Sequence, residues 1–116
     1  MSERDVNANL PLKAVHYLIL LVLAQEPTYG VELLERLEER SGGTVRLNAG
    51  SLYRTIAQLV DAGLVEPDRA VATPAGVGAP RKIYGVTELG RDVLRAEAAR
   101  QADLLALARA LDLAEG

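Results

Sequence analysis

Four side chains near the middle of the chain, Ser51, Tyr53, Arg54 and Gln58, join hydrogen-bonding chemistry to helical spacing. At about 100° per residue, Ser51, Arg54 and Gln58 fall within an arc of roughly 60°, while Leu52, Ile56, Leu59 and Val60 gather on the other side. A polar row of this kind suits the edges of base pairs in double-stranded DNA. Arg54 could bridge guanine O6 and N7, and Gln58 adenine N6 and N7, each contributing about 1–3 kcal/mol of discrimination. Just before the row, Gly50 lets a backbone come close, Ser51 offers a hydroxyl, and a helix N-terminus there would present free N–H groups to phosphate. The same residues also fit an ordinary solvated helix, with Tyr53 laid against the core edge and Ser51 supporting a cap.

Other chemistry finds little support. The chain has no Cys and one His, His16, so neither a thiolate nucleophile nor a metal site is expected. No nucleophile–base arrangement and no phosphate-binding Gly-rich motif occurs, so catalytic residues and cofactors are expected to be none. The formal net charge of -3 argues against nucleic acid. Its distribution tells a different story, because between Arg46 and Arg91 there are six basic residues against four acidic ones. The acid collects instead at Glu32, Glu35, Glu38 and Glu39. Arg81 and Lys82 could therefore hold phosphates, with Arg46 and Arg69 as weaker candidates.

The surrounding elements must position this row. A first helix is expected from Pro11 to Ala24, capped by Asn9; its apolar stretch Tyr17 to Ala24 spans eight residues, whereas a membrane span needs about 20. A second is expected from Thr28, as cap, to Arg40, ended by Ser41-Gly42-Gly43. Thr44 to Leu47 alternates and predicts a short strand. The polar row belongs to a third helix, Ala49 to Ala62, capped by Asn48 and stopped by Gly63. Leu64 to Pro67 and Arg81 to Val86 predict two strands joined by a flexible loop, Ala70 to Pro80. Thr87 should cap a long last helix, Glu88 to Leu113, whose later half carries Leu104, Leu107 and Leu111 at spacings of three and four. With four Tyr and neither Phe nor Trp, the core must be aliphatic. The order predicts a mainly α protein with a small β-wing: a winged helix-turn-helix DNA-binding domain over 1–86 and a C-terminal dimerisation helix over 87–116. In such a domain the third helix enters the major groove and the wing follows the adjacent backbone or minor groove.

The sequence resembles the PadR family of transcriptional regulators, especially its shorter members, over roughly Leu10 to Leu111. The matching pieces are Pro27-Thr28-Tyr29-Gly30, Leu47-Asn48-Ala49-Gly50-Ser51-Leu52-Tyr53, Leu59-Val60-Asp61-Ala62-Gly63-Leu64-Val65 and Arg81-Lys82-Ile83-Tyr84-Gly85-Val86-Thr87-Glu88-Leu89-Gly90. Asn48-Ala49 stands where the family often has Ser or Pro-Gly, and Gly85 where it usually has a longer polar residue. The resemblance implies that Tyr53 faces the DNA backbone, and that the first and last helices build a homodimer through Leu104, Leu107, Leu111 and apolar positions of the first helix. It implies a repressor of a two-fold operator. Some relatives bind aromatic effectors between Trp rings, a device this Trp-free chain lacks, so a small-molecule effector is neither identified nor excluded. The expected setting is soluble and cytoplasmic, with no membrane partner. Two other readings stay open at this point: a winged helix used only for protein–protein contact, and a ligand-binding dimer whose DNA binding is vestigial.

Overall fold

The computed structural model describes residues 3–71 and 81–115. In chain order the elements are α1 (Glu3–Asn7), α2 (Ala14–Gln25), α3 (Gly30–Arg40), α4 (Ala49–Asp61), β1 (Val65–Val71), β2 (Arg81–Val86) and α5 (Glu88–Ala110). Helices α2, α3 and α4 enclose an aliphatic core: Ile19, Leu20 and Leu23 meet Leu33, Leu37, Leu52, Ile56 and Leu59. Leu64, Val65, Val93 and Leu94 close it from the strand and from α5. The architecture is the expected one, mainly helical with a two-stranded antiparallel wing after the third core helix.

Several boundaries move. The short helix α1 has no counterpart in the sequence-based expectation. Asn9 finishes α1 instead of capping α2: its backbone N–H donates to the Val6 carbonyl, and its Nδ2 donates to the Asp5 carbonyl at 2.9 Å. Helix α2 begins at Ala14, with Lys13 at the cap position making no side-chain cap bond. The Leu12 N–H, in the extended segment before it, donates to the Glu97 carboxylate of α5.

Thr28 likewise does not cap α3; Tyr29 holds that position. Thr28 is buried and extended, exchanging two backbone hydrogen bonds with Tyr84, and its hydroxyl donates to Glu32 Oε2. That bridge occupies the free edge of β2, which explains a second departure. Thr44 to Leu47 forms no strand, and Val45 N–H and the Thr44 hydroxyl turn back to Ser41.

Strand β1 starts at Val65, one residue later than expected, and extends through Ala70 and Val71, which were assigned to the loop. Its pairing with β2 slips by one residue between Pro67 and Ala70, a bulge. The remainder of the expected loop, 72–80, lies outside the described residues. Thr87 caps α5 as anticipated, accepting from Gly90 N–H at 3.0 Å. The helix ends three residues before Leu113, at Ala110, and Asp112 adopts φ 59° while Leu113 N–H closes onto the Ala108 carbonyl at 2.8 Å.

Candidate nucleic-acid interface

Helix α4 is built as its residues dictate. Asn48 Oδ1 accepts from Ser51 N–H at 2.7 Å, a side-chain N-cap. At the far end Gly63 takes φ 78°, and Leu64 N–H reaches back to the Leu59 carbonyl at 3.0 Å. Leu52, Ile56 and Leu59 are buried, while Asn48, Ala49, Gly50, Tyr53, Arg54, Ala57 and Gln58 are exposed. The first turn of α4 is thus open to solvent, and nothing but its own cap crowds Gly50.

Within the polar row the side chains are engaged with one another. Arg54 Nη2 donates to Ser51 Oγ at 3.2 Å, which draws the guanidinium back along the helix toward its N-terminus. Thr55 is half-buried and its hydroxyl donates to the Ser51 carbonyl, so it takes no part in the outer row. Gln58 meets His16 of α2. Burial, and then the nearby Lys13, push the His16 imidazole below its ordinary range, and the Gln58 hydrogen bond acts in the opposite direction.

Tyr53 is both exposed and packed. Its side chain is 48% exposed, yet its ring lies on the first turn of α3, where a Cβ on Gly30 would stand 2.8 Å from Tyr53 Cζ. On the wing, the Tyr84 hydroxyl is pushed above its ordinary range by burial and then by the charge of Tyr53. Helices α3 and α4 therefore meet at the Tyr53 ring. The Pro27-Thr28-Tyr29-Gly30 motif carried the signal for this contact, since Gly30 is the residue that lets the ring approach.

On the wing, Lys82 is exposed and alternates onto the face of Tyr84. Arg81 belongs to β2, but its side chain, like that of Arg69, lies outside the described residues. Arg46 is drawn toward α3, with Nε 3.5 Å from Glu38 Oε1, so the local basic surface rests on fewer charges than the sequence count. The acidic row of α3 is partly neutralised from within: Arg36 pairs with Glu26 and Glu32. No group of His, Asp and Glu among the described residues could hold a metal ion.

At the opposite end, Leu104, Leu107 and Leu111 are 48%, 59% and 60% exposed. They prolong a face already in use. By helical spacing Gly90, Val93 and Glu97, all buried, share a side of α5 with Leu104, Ala108 and Leu111. Glu97 is the last buried residue of the helix, and the 13 residues 98–110 beyond it run about 20 Å past the core.

The sequence pattern of the transcriptional regulator PadR-like family matches residues 19–96. The chain belongs to the PadR-like family. The family is one of transcriptional regulators, not of enzymes. Among solved structures, this PadR-like chain resembles a PadR-like transcriptional regulator from Bacillus cereus, with 21% identity over 97% of this chain and 100% of that one and a TM-score of 0.71. It also resembles RosR of H. salinarum, with 28% identity over 82% and 78% and a TM-score of 0.66. Bacillus subtilis PadR, solved in complex with operator DNA, matches at 23% identity over 72% of this chain and 46% of its own length, with a TM-score of 0.60. No curated protein matches the sequence. No helix among the described residues is long and apolar enough to cross a membrane.

Proposed function

We propose that this PadR-like regulator binds double-stranded operator DNA as a homodimer and represses transcription from the site it covers. In this reading α4 enters the major groove and the wing lies along the neighbouring backbone. Gly50, Ser51 and Tyr53 hold phosphates at the open first turn of α4. Arg54 and Gln58 read base edges, and Arg81 and Lys82 add phosphate contacts from the wing. Such a regulator works where the DNA is, in the cytoplasm. The nucleic-acid half of the proposal leans on the solvent-facing side of α4, where Asn48, Gly50, Tyr53, Arg54 and Gln58 are all exposed.

A single observation carries the dimer: the stripe of α5 that is buried at Val93 and Glu97 continues through the half-buried Ala108 as Leu104 and Leu111, 48% and 60% exposed. Apolar area of this kind, arranged at helical spacing, favours a second protein surface over water. A second copy supplies one with matching chemistry, because Leu21 of α2 is also exposed, at 41%. Residues 87–116 would then serve as the dimerisation helix of a domain spanning 1–86. Two-fold pairing sets two recognition helices about one DNA turn apart, roughly 34 Å. A dimer seated on such a site excludes other proteins from it, so repression is its simplest consequence. No residue pattern specifies an effector.

Gel-shift titration against the DNA upstream of the protein's own gene, at two salt concentrations, tests the proposal. A shift that weakens as salt rises is expected. No shift at low salt would sink it and favour a winged helix used for protein–protein contact.

A further inference from the structure

We infer that Gly30, on α3, is a positioning residue for Tyr53: its missing side chain gives the phenol ring a seat, and that seat fixes where Tyr53 meets nucleic acid. The inference rests on the proposed DNA-facing role of α4. An exposed Tyr on an isolated helix would exchange freely among rotamers. Here the ring lies directly against the buried Gly30: a Cβ at that position would stand 2.8 Å from Tyr53 Cζ and 3.1 Å from Cε1, with the hydroxyl closer still. Yet it remains 48% exposed, so the restraint does not bury it. A side chain ordered before binding spares the complex the cost of ordering it.

Gly30 differs in kind from the other crowded glycine. A Cβ on Gly90 would strike the Leu64 backbone and Val86, whereas the three atoms nearest a Cβ on Gly30 all belong to the far end of one flexible side chain, Tyr53. Nor does the backbone require glycine there, since among the described residues the positive-φ glycines are Gly42, Gly43 and Gly63. Gly30 opens α3, where alanine is no worse a helix former. The position therefore allows Tyr53 to be displaced while the core stays intact.

The test is a double-mutant cycle read by fluorescence anisotropy on the upstream duplex and on an unrelated duplex, with melting temperatures measured in parallel. Gly30→Ala should weaken binding to both duplexes by roughly 3- to 10-fold without lowering the melting temperature. Tyr53→Ala should weaken it at least as much, and the double variant should bind no worse than Tyr53→Ala alone. Wild-type affinity in Gly30→Ala or in Tyr53→Ala, or losses that simply add, would overturn the inference while leaving DNA binding in place. Loss of fold in Gly30→Ala that Tyr53→Ala does not restore would overturn it too, because the new methyl would then be striking something other than the ring. Absence of binding by the wild-type protein overturns the shared reading of α4 and this inference with it.

Discussion

Glu97 Oε1, in the middle of α5, accepts the backbone N–H of Leu12 at 2.9 Å, joining residues 85 positions apart. Its other oxygen takes Arg100 Nη2 at 2.7 Å and Gln101 Nε2 at 2.9 Å, so a fully buried carboxylate has every partner it needs. The contact fixes the chain entering α2 against the helix that leaves the domain. Both are surfaces of the proposed dimer.

The Arg100 hydrogen bonds, helped by Leu12 and Gln101, outweigh burial and hold Glu97 at about 2, below its ordinary 4.5. A lowered folded-state value means stability that is present in full above pH 4.5 and is lost as pH falls toward 2. Urea denaturation at pH 7 should find Glu97→Gln less stable by roughly 1.5–3 kcal/mol, the range for charged hydrogen bonds. Between pH 5 and pH 3 the wild-type protein should lose stability more steeply than the variant. Parallel pH profiles would contradict this assignment.

Arg54 and Lys82 should separate by the kind of loss they cause. Arg54→Ala is expected to relax preference at one base pair by about 1–3 kcal/mol, seen as convergence of affinities for matched and mismatched duplexes. Lys82→Ala should weaken all duplexes alike and lower the salt slope by about one. The same signature from both would mean that Arg54 is also a phosphate contact.

The distal leucines can be tested without DNA. Replacing Leu104, Leu107 and Leu111 together by Gln should convert a dimer to a monomer in sedimentation equilibrium, while the far-ultraviolet helical signal of the domain persists. These residues touch none of the buried core, so the monomer should remain folded.

Gly90→Ala should destabilise by about 1–3 kcal/mol or more, because a Cβ there meets the Leu64 carbonyl and Val86 where the start of α5 crosses the chain. Thermal denaturation reads the effect directly. A melting temperature equal to wild type would show that the crossing can open.

Removing a cap is the mildest of these changes. Asn48→Ala deletes the acceptor for Ser51 N–H and should cost about 1 kcal/mol in denaturant unfolding. It should also lower DNA affinity, since the freed first turn of α4 is the proposed phosphate contact.

The sequence by itself determined what depends on neighbours along the chain. Helix α4 and its two ends, the Thr87 cap, both wing strands and the aliphatic core are all written in local spacing, capping chemistry and composition. So is the outward polar row, because a helix turns its residues by a fixed angle. Tertiary structure decided what depends on partners distant in sequence. Asn9, Thr28 and the Thr44 to Leu47 segment each had a sound local reading. Remote partners entered beside them: Leu12 took Glu97 and Thr28 took Tyr84, while Asn9 and the Thr44 to Leu47 turn bonded back to Asp5, Val6 and Ser41. The same holds for the site. Residue types placed Ser51, Tyr53, Arg54 and Gln58 on one helix. Only packing revealed that Gly30 seats Tyr53, that His16 meets Gln58 and that Glu38 draws Arg46 away. A hydrogen-bonding group takes whichever partner the fold brings within about 3 Å, and sequence spacing does not record that distance.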